Sequence, residues 1–457
     1  MLRSLVGSEM CIRDRSYTSS SGNDGITASN TTWTSGKIDI GRLLQGFSAE
    51  GSNTVDLGAE LGEGFSVLGL DTGQYRIEGS VLTIEDGAIS SVTWVSAGAG
   101  GALEETVKNA FTLALGEGSA ANVSLGYLNG TLTTSGDKVY QITNTGGTKI
   151  NLNGVYNRGE TLPSGNLNYR GDIWMDISGG AFGIISGGVT NEWSTKLQTS
   201  TLTGDTHVQL SGNATAEHVI GGNNKGASTT LTGNTNVTVK DNAIVAGAII
   251  GGSTSAHNAV TTITGNTSVL VTNVQYSNTA QNLDGGLSNS YIIGGSSWSS
   301  NTTSGTTIQG STSATINLNG ITLSGTEEHN SFVKTIIGGS YGNVNNAGTV
   351  NNINGDTSVS IIGREGITFT GDIIGGSFEN SGQAQYTIGG NSSISISGGS
   401  TFTGNIYGGS YSKVPGNTGS TMTTAGNITV ELGTGTYRGN IYGAGNKGTA
   451  GGDVLVS

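Results

Sequence analysis

The sequence predicts an all-β fold, an extended β-solenoid in which short quasi-repeats stack as successive coils. Two elements recur from about Tyr169 onward: a turn followed by a strand, and an apolar pair followed by two glycines. In both elements apolar residues alternate with polar ones, which is the period of strands with one buried face. A single repeat cannot bury its apolar face alone, so we expect neighbouring repeats to stack.

The turn–strand element has five clear copies, which begin at Leu202, Leu231, Ile263, Ile353 and Ile388. In the first copy, LTGDTHVQL, the residues Thr206, Val208 and Leu210 share one face, and His207 and Gln209 share the other. We expect the first set to point inward and to stack on its equivalents in the next coil, about 4.8 Å away.

A column of polar turn residues is the second expectation from these copies. The residue after each turn glycine is Asp205, Asn234, Asn266, Ser311, Asp356, Asn391 or Asn427. Most of these residue types tolerate the left-handed conformation and form hydrogen bonds with nearby backbone. Stacked coils should therefore bring these side chains into one line.

The double-glycine element recurs at uneven spacings of 30 to 44 residues. Its first glycine is Gly187, Gly221, Gly251, Gly294, Gly338, Gly375, Gly408 or Gly443. Phe369, Gly371 and Ile373 are predicted to point inward, and Ile374 outward. The glycine pair should need positive φ or a close backbone approach. The variable segments between elements are predicted to be lateral loops.

Composition narrows the function classes. The 457 residues include 80 glycines but only two prolines, and 11 % of residues are charged. The regular apolar alternation argues against disorder. A net charge of −13 without a basic patch argues against nucleic-acid binding. No apolar run is long enough for a membrane helix. No cofactor is predicted.

Residues 1–15, MLRSLVGSEMCIRDR, are expected to be a sequencing artefact, because from Leu5 they resemble the translation of a transposase-type sequencing adapter. The alternative is a remnant of a signal peptide, but the apolar stretch is too short for one. The only cysteine, Cys11, lies in this segment. Without it the chain has neither disulfides nor cysteine-based zinc sites.

Residues 16–168 are predicted to be a less regular β-rich region or cap. Hairpins are expected within 81–95, around Asp86-Gly87, and within 139–152, around Gly146-Gly147. A short amphipathic helix is expected before Gly116, on the spacing of Leu103, Val107, Ala110, Phe111 and Ala114. Residues 169–457 form the predicted solenoid of about eight quasi-repeats. The last residues, GGDVLVS, match the opening of a further copy, so we expect the chain to be truncated.

The motifs GDIIGGSF from Gly371, GNIYGGSY from Gly404 and GNIYGAGN from Gly439 resemble the passenger regions of bacterial autotransporters and related adhesin-like, glycine-rich repeat proteins. The resemblance covers about 290 residues. It implies a right-handed parallel β-helix, export to the cell surface or the extracellular space, and a role in adhesion or surface structure. It also implies a C-terminal membrane anchor or β-barrel outside this chain.

Three features could indicate catalysis or metal binding, and for each the alternative is an ordinary position in the stacked repeats. Gly338-Gly339-Ser340-Tyr341-Gly342 matches G-x-S-x-G, but Ser340 occupies a repeated position and no helix pattern follows. The histidines, which we expect to be outward and solvated, lack metal-ligand spacing; they are His207, His218, His257 and His329. Calcium binding at the turn column is disfavoured because most of its residues are Asn. No catalytic or metal residue is predicted.

Two weaker alternatives remain open. Glu327-Glu328-His329 is the clearest acidic cluster of the repeat region, and paired carboxylates serve glycoside cleavage; a solvated lateral loop is the simpler interpretation. Ice binding through T-x-T ladders ranks last, because the irregular period is expected to break a flat face.

The main binding candidate is the outward column of the double-glycine element, and in particular Ile374, Tyr407 and Tyr442. The full column is Ile250, Ile293, Ile337, Ile374, Tyr407 and Tyr442. Exposed aromatic and apolar residues in a line could bind glycan rings or a protein. The alternative is that a lateral loop, or Tyr341, Phe378 and Tyr411 just after the glycines, covers the column.

The sequence therefore predicts a non-catalytic, adhesin-like or structural β-helix that binds host or matrix glycans or proteins through a side face. The runner-up is a secreted β-helical polysaccharide lyase or glycoside hydrolase. An enzyme should carry a charged cluster in one coil beside a groove, and the charges here are scattered.

Overall fold

The protein folds as a parallel β-helix. The computed structural model describes the strands given below between residues 24 and 144, and from there residues 149–157, 167–191, 200–224, 229–255, 260–272, 291–299, 305–319, 331–332, 334–343, 350–380, 384–413 and 421–457. These residues form 47 strands and contain no helix. The predicted all-β fold class is thereby confirmed.

Two long stacks of strands form the flat sides of the helix, and we call them sheet 1 and sheet 2. Sheet 1 consists of β10 (Thr134–Ser135), β13 (Leu167–Arg170), β15 (Ser200–Thr203), β17 (Thr229–Thr232), β22 (Val260–Ile263), β26 (Gly305–Ile308), β31 (Val350–Ile353), β36 (Gln385–Ile388), β41 (Thr421–Thr424) and β46 (Gly448–Ala450). Sheet 2 consists of β7 (Thr112–Leu115), β11 (Lys138–Asn144), β14 (Ile173–Asn191), β16 (Thr206–Ile220), β18 (Thr235–Val239), β23 (Thr267–Thr272), β27 (Thr312–Asn317), β32 (Thr357–Ile362), β37 (Ser392–Ser397), β42 (Ile428–Leu432) and β47 (Val454–Val456).

Shorter strands complete each coil. Sheet 3, which carries the double-glycine element, is joined to sheet 2 through the long strands β14 and β16. Its other strands are β2 (Trp33–Asp39), β8 (Asn122–Ser124), β9 (Tyr127–Leu128), β12 (Ile150–Asn157), β19 (Ile244–Val245), β20 (Ile249–Ile250), β24 (Tyr291–Ile293), β29 (Thr335–Ile337), β34 (Ile373–Ile374), β39 (Ile406–Tyr407) and β44 (Ile441–Tyr442), with β1 (Asp24–Ile26) antiparallel to β2.

Two small sheets turn the corners. Sheet 4 consists of β21 (Thr254–Ser255), β25 (Ser297–Ser299), β30 (Tyr341–Asn343), β35 (Phe378–Glu379), β40 (Ser410–Ser412) and β45 (Gly445–Asn446). Sheet 5 consists of β28 (Ser331–Phe332), β33 (Thr368–Phe369), β38 (Thr401–Phe402) and β43 (Thr436–Tyr437). In a late coil the chain passes through sheets 1, 2, 5, 3 and 4 in turn and then enters the next coil.

Register is kept from coil to coil in sheet 2. Val208, Val237, Val269, Ala314, Val359, Ile394 and Val430 are Cα partners in sequence. All are buried, as the period-two pattern predicts. Full burial of one valine or isoleucine side chain contributes about 1.5–3 kcal/mol, and the column supplies this in every one of these coils except that of Ala314.

The turn residues form the predicted polar column. The amide N–H of each donates to the side-chain oxygen of the equivalent residue in the coil before, as in Asn234 N to Asp205 Oδ1 at 2.7 Å and Asn391 N to Asp356 Oδ1 at 2.6 Å. The same bond recurs through Asn266, Ser311, Asp356 and Asn427. The column also includes two residues that sequence analysis missed, Asp172 and Asp453.

The glycine pair is required by close approach between coils. A Cβ on Gly294 would lie 2.5 Å from the carbonyl oxygen of Gly338 in the next coil. Positive φ instead occurs at the turn glycines, for example Gly204 and Gly233. Of the two reasons considered for the glycine pair, close approach is therefore the one observed.

Parallel stacking begins upstream of Tyr169, the predicted start of the solenoid. Strands β11 and β12 both pair in parallel with β14, and β7 pairs in parallel with β11. The hairpin predicted within 139–152 is therefore wrong: apolar residues on both strands stack on the following coil and not on each other.

Two other predictions for the N-terminal region have different outcomes. The hairpin around Asp86-Gly87 is confirmed by antiparallel pairing of β5 (Ser80–Glu85) with β6 (Ala88–Trp94), in a small sheet with β4 (Gly73–Ile77) and β3 (Thr54–Val55). The helix expected before Gly116 is wrong at its C-terminal end, where β7 stacks on β11. Residues 101–111, like residues 1–15, lie outside the described residues.

Candidate functional site

The column predicted to be an exposed binding face is buried. Ile374 is 0 % exposed and Tyr407 is 4 % exposed. They belong to a second apolar cluster, which also contains Ile250, Ile293, Ile337, Tyr341 and Phe378. After the glycine pair the chain enters sheet 4, whose aromatic residues pack over the outer side of sheet 3. The prediction that Ile374 and Tyr407 are exposed is therefore wrong, and the aromatic cover considered as an alternative is what occurs.

Aromatic stacking explains why the cover is complete. The ring of Tyr411 stacks on Tyr407 with centroids 4.2 Å apart and on Phe378 at 5.2 Å. Tyr341 meets Phe378 edge-on at 5.5 Å. Burial raises the pKa of Tyr341 far above its ordinary value, with Tyr291 and Glu379 adding to the effect. These rings act as a lid on sheet 3.

Tyr442 is the exception, since 41 % of it is exposed. Its ring stacks on Tyr407 at 4.9 Å, and it lies in the last of the described coils. One side of the ring therefore contacts a neighbouring coil.

The G-x-S-x-G serine is part of a ladder. Ser340 is 2 % exposed. Its Oγ accepts a hydrogen bond from Ser296 N at 3.1 Å, and its own N–H donates to Ser377 Oγ at 3.1 Å. Ser253 and Ser410 continue the same chain of bonds. The strand β30 follows Ser340 directly, so no nucleophile elbow is formed.

The two described histidines have different environments. His218 is buried, and its Nδ1 accepts a hydrogen bond from Ala248 N at 3.0 Å. The prediction of an outward, solvated position is therefore wrong for His218, whose ring faces a neighbouring coil. His207 does point outward from sheet 2. His257 and His329 lie outside the described residues, as do Glu327 and Glu328.

An aromatic and polar patch that sequence analysis missed surrounds His207. The indole of Trp174, which is 46 % exposed, stacks on the His207 ring with centroids 3.5 Å apart. On the same outer face Gln209 Nε2 donates to Asp176 Oδ1 at 2.8 Å. We call these four residues the Trp174 patch. The available signal was that Trp174 and His207 occupy an outward position that holds Asn or Ser in the next coils.

Burial determines the protonation state of His207 in the Trp174 patch. Burial lowers the pKa of His207 below its ordinary value, and the nearby carboxylates of Asp205 and Asp172, which act in the opposite direction, do not reverse this. The imidazole is therefore neutral at pH 7. The amide nitrogen of Asn236 lies 3.3 Å from His207 Nδ1. The patch thus offers one carboxylate, neutral polar groups and an indole edge.

Two buried polar groups elsewhere break the apolar pattern. Lys334 is 1 % exposed, and its Nζ donates to the carbonyl oxygens of Ala246 at 3.2 Å and Gly247 at 2.5 Å. Burial lowers its pKa to about 8. Glu379, also buried, accepts a hydrogen bond from the hydroxyl of Tyr386. Lys334 thus reaches across one intervening coil, and Glu379 joins β35 to β36. Both groups are buried in the interior.

Metal and membrane features were also sought in the described part of the chain. There, no three His, Cys, Asp or Glu side chains come together in a way that could hold a metal ion. Nor does any helix with the length and apolar character needed to cross a bilayer occur among those residues.

Comparison with protein-family models, with curated proteins and with solved structures yields no match to this chain. The fold and the surface of the described coils are therefore the basis for any functional assignment.

Proposed function

We propose that this chain is the non-catalytic, adhesin-like β-helix of an exported surface protein, and that it binds glycans or proteins through a side face. The observation that carries the proposal is the uniform use of repeated positions for stacking. The motif serine, the turn carboxylates and the double-glycine tyrosines each bond to or stack on their equivalents in neighbouring coils. A rod built in this way presents surface and offers no repeated reactive group.

The Trp174 patch is the surface that best fits a glycan on the described coils. Indole groups bind sugar C–H faces and edges, and polar partners such as Gln209 fix orientation through hydrogen bonds. Such a patch replaces the buried Ile374 and Tyr407 column as the binding candidate. Export to the cell surface or the extracellular space is part of the proposal and is supported by the autotransporter-like repeat motifs.

The test is binding of the purified chain to immobilised neutral and acidic glycans and to matrix proteins. Trp174→Ala should weaken glycan binding while leaving the unfolding midpoint nearly unchanged, because the indole lies on the outer face. Leu270→Ala is the matched control: Leu270 is also an exposed apolar residue on the outer face of sheet 2, but outside the patch. Equal binding by both variants and the unsubstituted chain would contradict a role for the patch.

A polysaccharide lyase or glycoside hydrolase is the second candidate. One observation favours it: Asp176 and His207 lie on adjacent strands beside an exposed indole, which is a cluster of the kind that an enzyme needs. Incubation with polysaccharides would decide between the two. New reducing or unsaturated ends that disappear in both Asp176→Asn and His207→Ala would establish the enzyme, whereas binding without turnover supports the adhesin-like rod.

A further inference from the structure

The outer face of sheet 1 carries a column of threonines with a single interruption. Successive Cα partners along the stack include Thr201, Thr230, Thr262, Thr307, Thr387 and Thr423. Asn352 occupies the one intervening coil. These side chains are half-buried or exposed, and from Thr230 onward their neighbours on either side in each strand point inward and are buried.

A second threonine column runs beside the first in the early coils. Thr203 and Thr232 are partners in register, and both are exposed. Each strand there reads Thr-apolar-Thr, so the face has hydroxyl groups at about 4.8 Å along the stack and about 6.6 Å across it. In these coils the hydroxyl groups repeat in two directions, whereas the second column continues as Gln309, Asn354, Gly389 and Ala425 in later coils.

The uneven sequence period does not disturb this face. No register shift occurs between β15 and β46 in any pair of adjacent strands. The variation in repeat length lies outside sheet 1: it is largest after the sheet 2 strands, as between Thr272 and Tyr291, and smaller between the strands of sheet 4 and those of sheet 1. The expectation that irregular spacing breaks this face is therefore wrong as regards strand register, because the linkers absorb the irregularity.

The chemistry of the face is also uniform. None of the eight sheet 1 strands from β15 to β46 contains a charged residue, although the chain has a net charge of −13. The outward positions contain no aromatic ring, so the face lacks the groups on which sugars stack. Threonine has a stiff χ1, and strands locked in register hold each hydroxyl and methyl group in place. Little conformational entropy is therefore lost on binding.

We propose that this threonine face binds ice. Crystalline water is a neutral, rigid surface whose oxygen atoms repeat in two directions. The face matches it in neutrality and rigidity along its length, and in two-dimensional repetition over the early coils that contain Thr203 and Thr232. The outer face of sheet 2 also has paired parallel strands, but one of its columns holds Trp174 and His207 and the next holds Asp176, which interrupt a grid of small hydroxyl groups. Ice binding goes beyond adhesion to glycans or proteins and uses a different side of the rod.

The experiment follows incorporation of the fluorescently labelled full chain into a slowly growing ice hemisphere, together with inhibition of ice recrystallisation. The unsubstituted chain should enter the ice and keep crystals small. The double variant Thr230→Tyr with Thr262→Tyr should lose both effects, because two bulky rings lift the face away from the crystal. The matched control is Thr238→Tyr with Thr315→Tyr, which makes the same change on the outer face of sheet 2 and should leave ice binding intact. Circular dichroism shows that each variant retains its strands.

Three outcomes would overturn the inference. The first is exclusion of the unsubstituted chain from ice. The second is undiminished incorporation of the Thr230 and Thr262 variant when its strands are intact. The third is a dimer in sedimentation velocity that this variant dissociates, with no adsorption to ice, since the face would then serve a second copy of the chain. Loss of glycan binding in the Trp174→Ala variant bears on the adhesin-like function alone.

Discussion

Single hydroxyl groups in the interior have a structural role that their sequence motif conceals. Ser340 accepts a hydrogen bond from the backbone of one neighbouring coil and bonds through its own N–H to the serine of the other. A motif match defines residue types at a spacing, and only burial and partners decide whether the hydroxyl can react. Ser340 is buried, and its Oγ and its N–H each form a hydrogen bond with the equivalent serine of a neighbouring coil.

Ser340→Ala should therefore destabilise the protein. The substitution leaves the buried N–H of Ser296 without its acceptor, which costs about 1–3 kcal/mol. Denaturant unfolding followed by circular dichroism measures the loss. Ser358→Ala, which removes a hydroxyl from the outer face of sheet 2, serves as the control and should be close to neutral. A neutral effect at Ser340 would show that the ladder bonds contribute little.

The buried lysine predicts a specific pH dependence. The pKa of Lys334 is about 8 in the folded protein, against about 10.4 in an unfolded chain. Between these values the unfolded chain binds more protons, so the free energy of unfolding rises with pH. The contribution of Lys334 should rise by up to about 3 kcal/mol from pH 8 to pH 10.5.

The measurement compares Lys334→Met with the unsubstituted chain across this pH range. The difference in unfolding free energy should shift in favour of the lysine as pH increases. Tyrosine titration affects both proteins equally and cancels in the difference. Parallel pH profiles would mean that the ammonium group is not desolvated as its burial implies.

At the level of the element, both residues of the apolar pair in sheet 3 are inside. Ile373 belongs to the main core and Ile374 to the second apolar cluster. Ile373→Ala, Ile406→Ala and Ile374→Ala should each cost roughly 2–5 kcal/mol. Thr370→Ala, at an exposed position of the same coil, should cost little. Thermal unfolding would decide, and a small effect for Ile374 with large effects for the other two would mean that the aromatic cover is loose.

Period-two alternation explains how much of these elements the sequence could predict. It assigned Val208 and Ile373 to the interior correctly, because a strand has only two faces and one must be buried. It could not tell what packs on the second face. Ile374 and Tyr407 have the pattern of outward residues, yet the chain turns at the glycine pair and places Tyr341, Phe378 and Tyr411 over them.

The second feature that the sequence could not predict is which strands pair with each other. The hairpin expected within 139–152 and the helix expected before Gly116 were inferred from local signals alone. In a β-helix the partner of a strand lies one coil away, as with β11 and β14, and local spacing carries no information about that pairing. The Trp174 patch was missed for the same reason, since its members lie on different coils.

At the scale of the whole molecule, the coil is the unit of construction. Asp356 and Asn391 occupy the same position of successive coils and are 35 residues apart. Removal of residues 357–391 would join Asp356 to Ser392 and keep every column in line. We expect this variant to fold, with a rod shorter by about 4.8 Å and a β-type circular dichroism spectrum. Removal of residues 357–373 is the control, because it interrupts the order of sheets and should prevent cooperative folding. If both deletions behaved alike, the columns would not govern register.

The hydrogen bonds between successive coils also determine how the rod should respond to mechanical load. Hydrogen bonds of sheets 1 to 5 join each coil only to its neighbours, whereas the covalent chain passes from one coil to the next only once. Tension along the stack therefore pulls on one junction of weak bonds at a time. When a junction opens, a coil of about 35 residues unfolds, and its extended chain adds about 120 Å to the end-to-end length. Pulled between two surfaces in an optical trap, the rod should lengthen in such steps and dissipate energy at each one, as a shock absorber does.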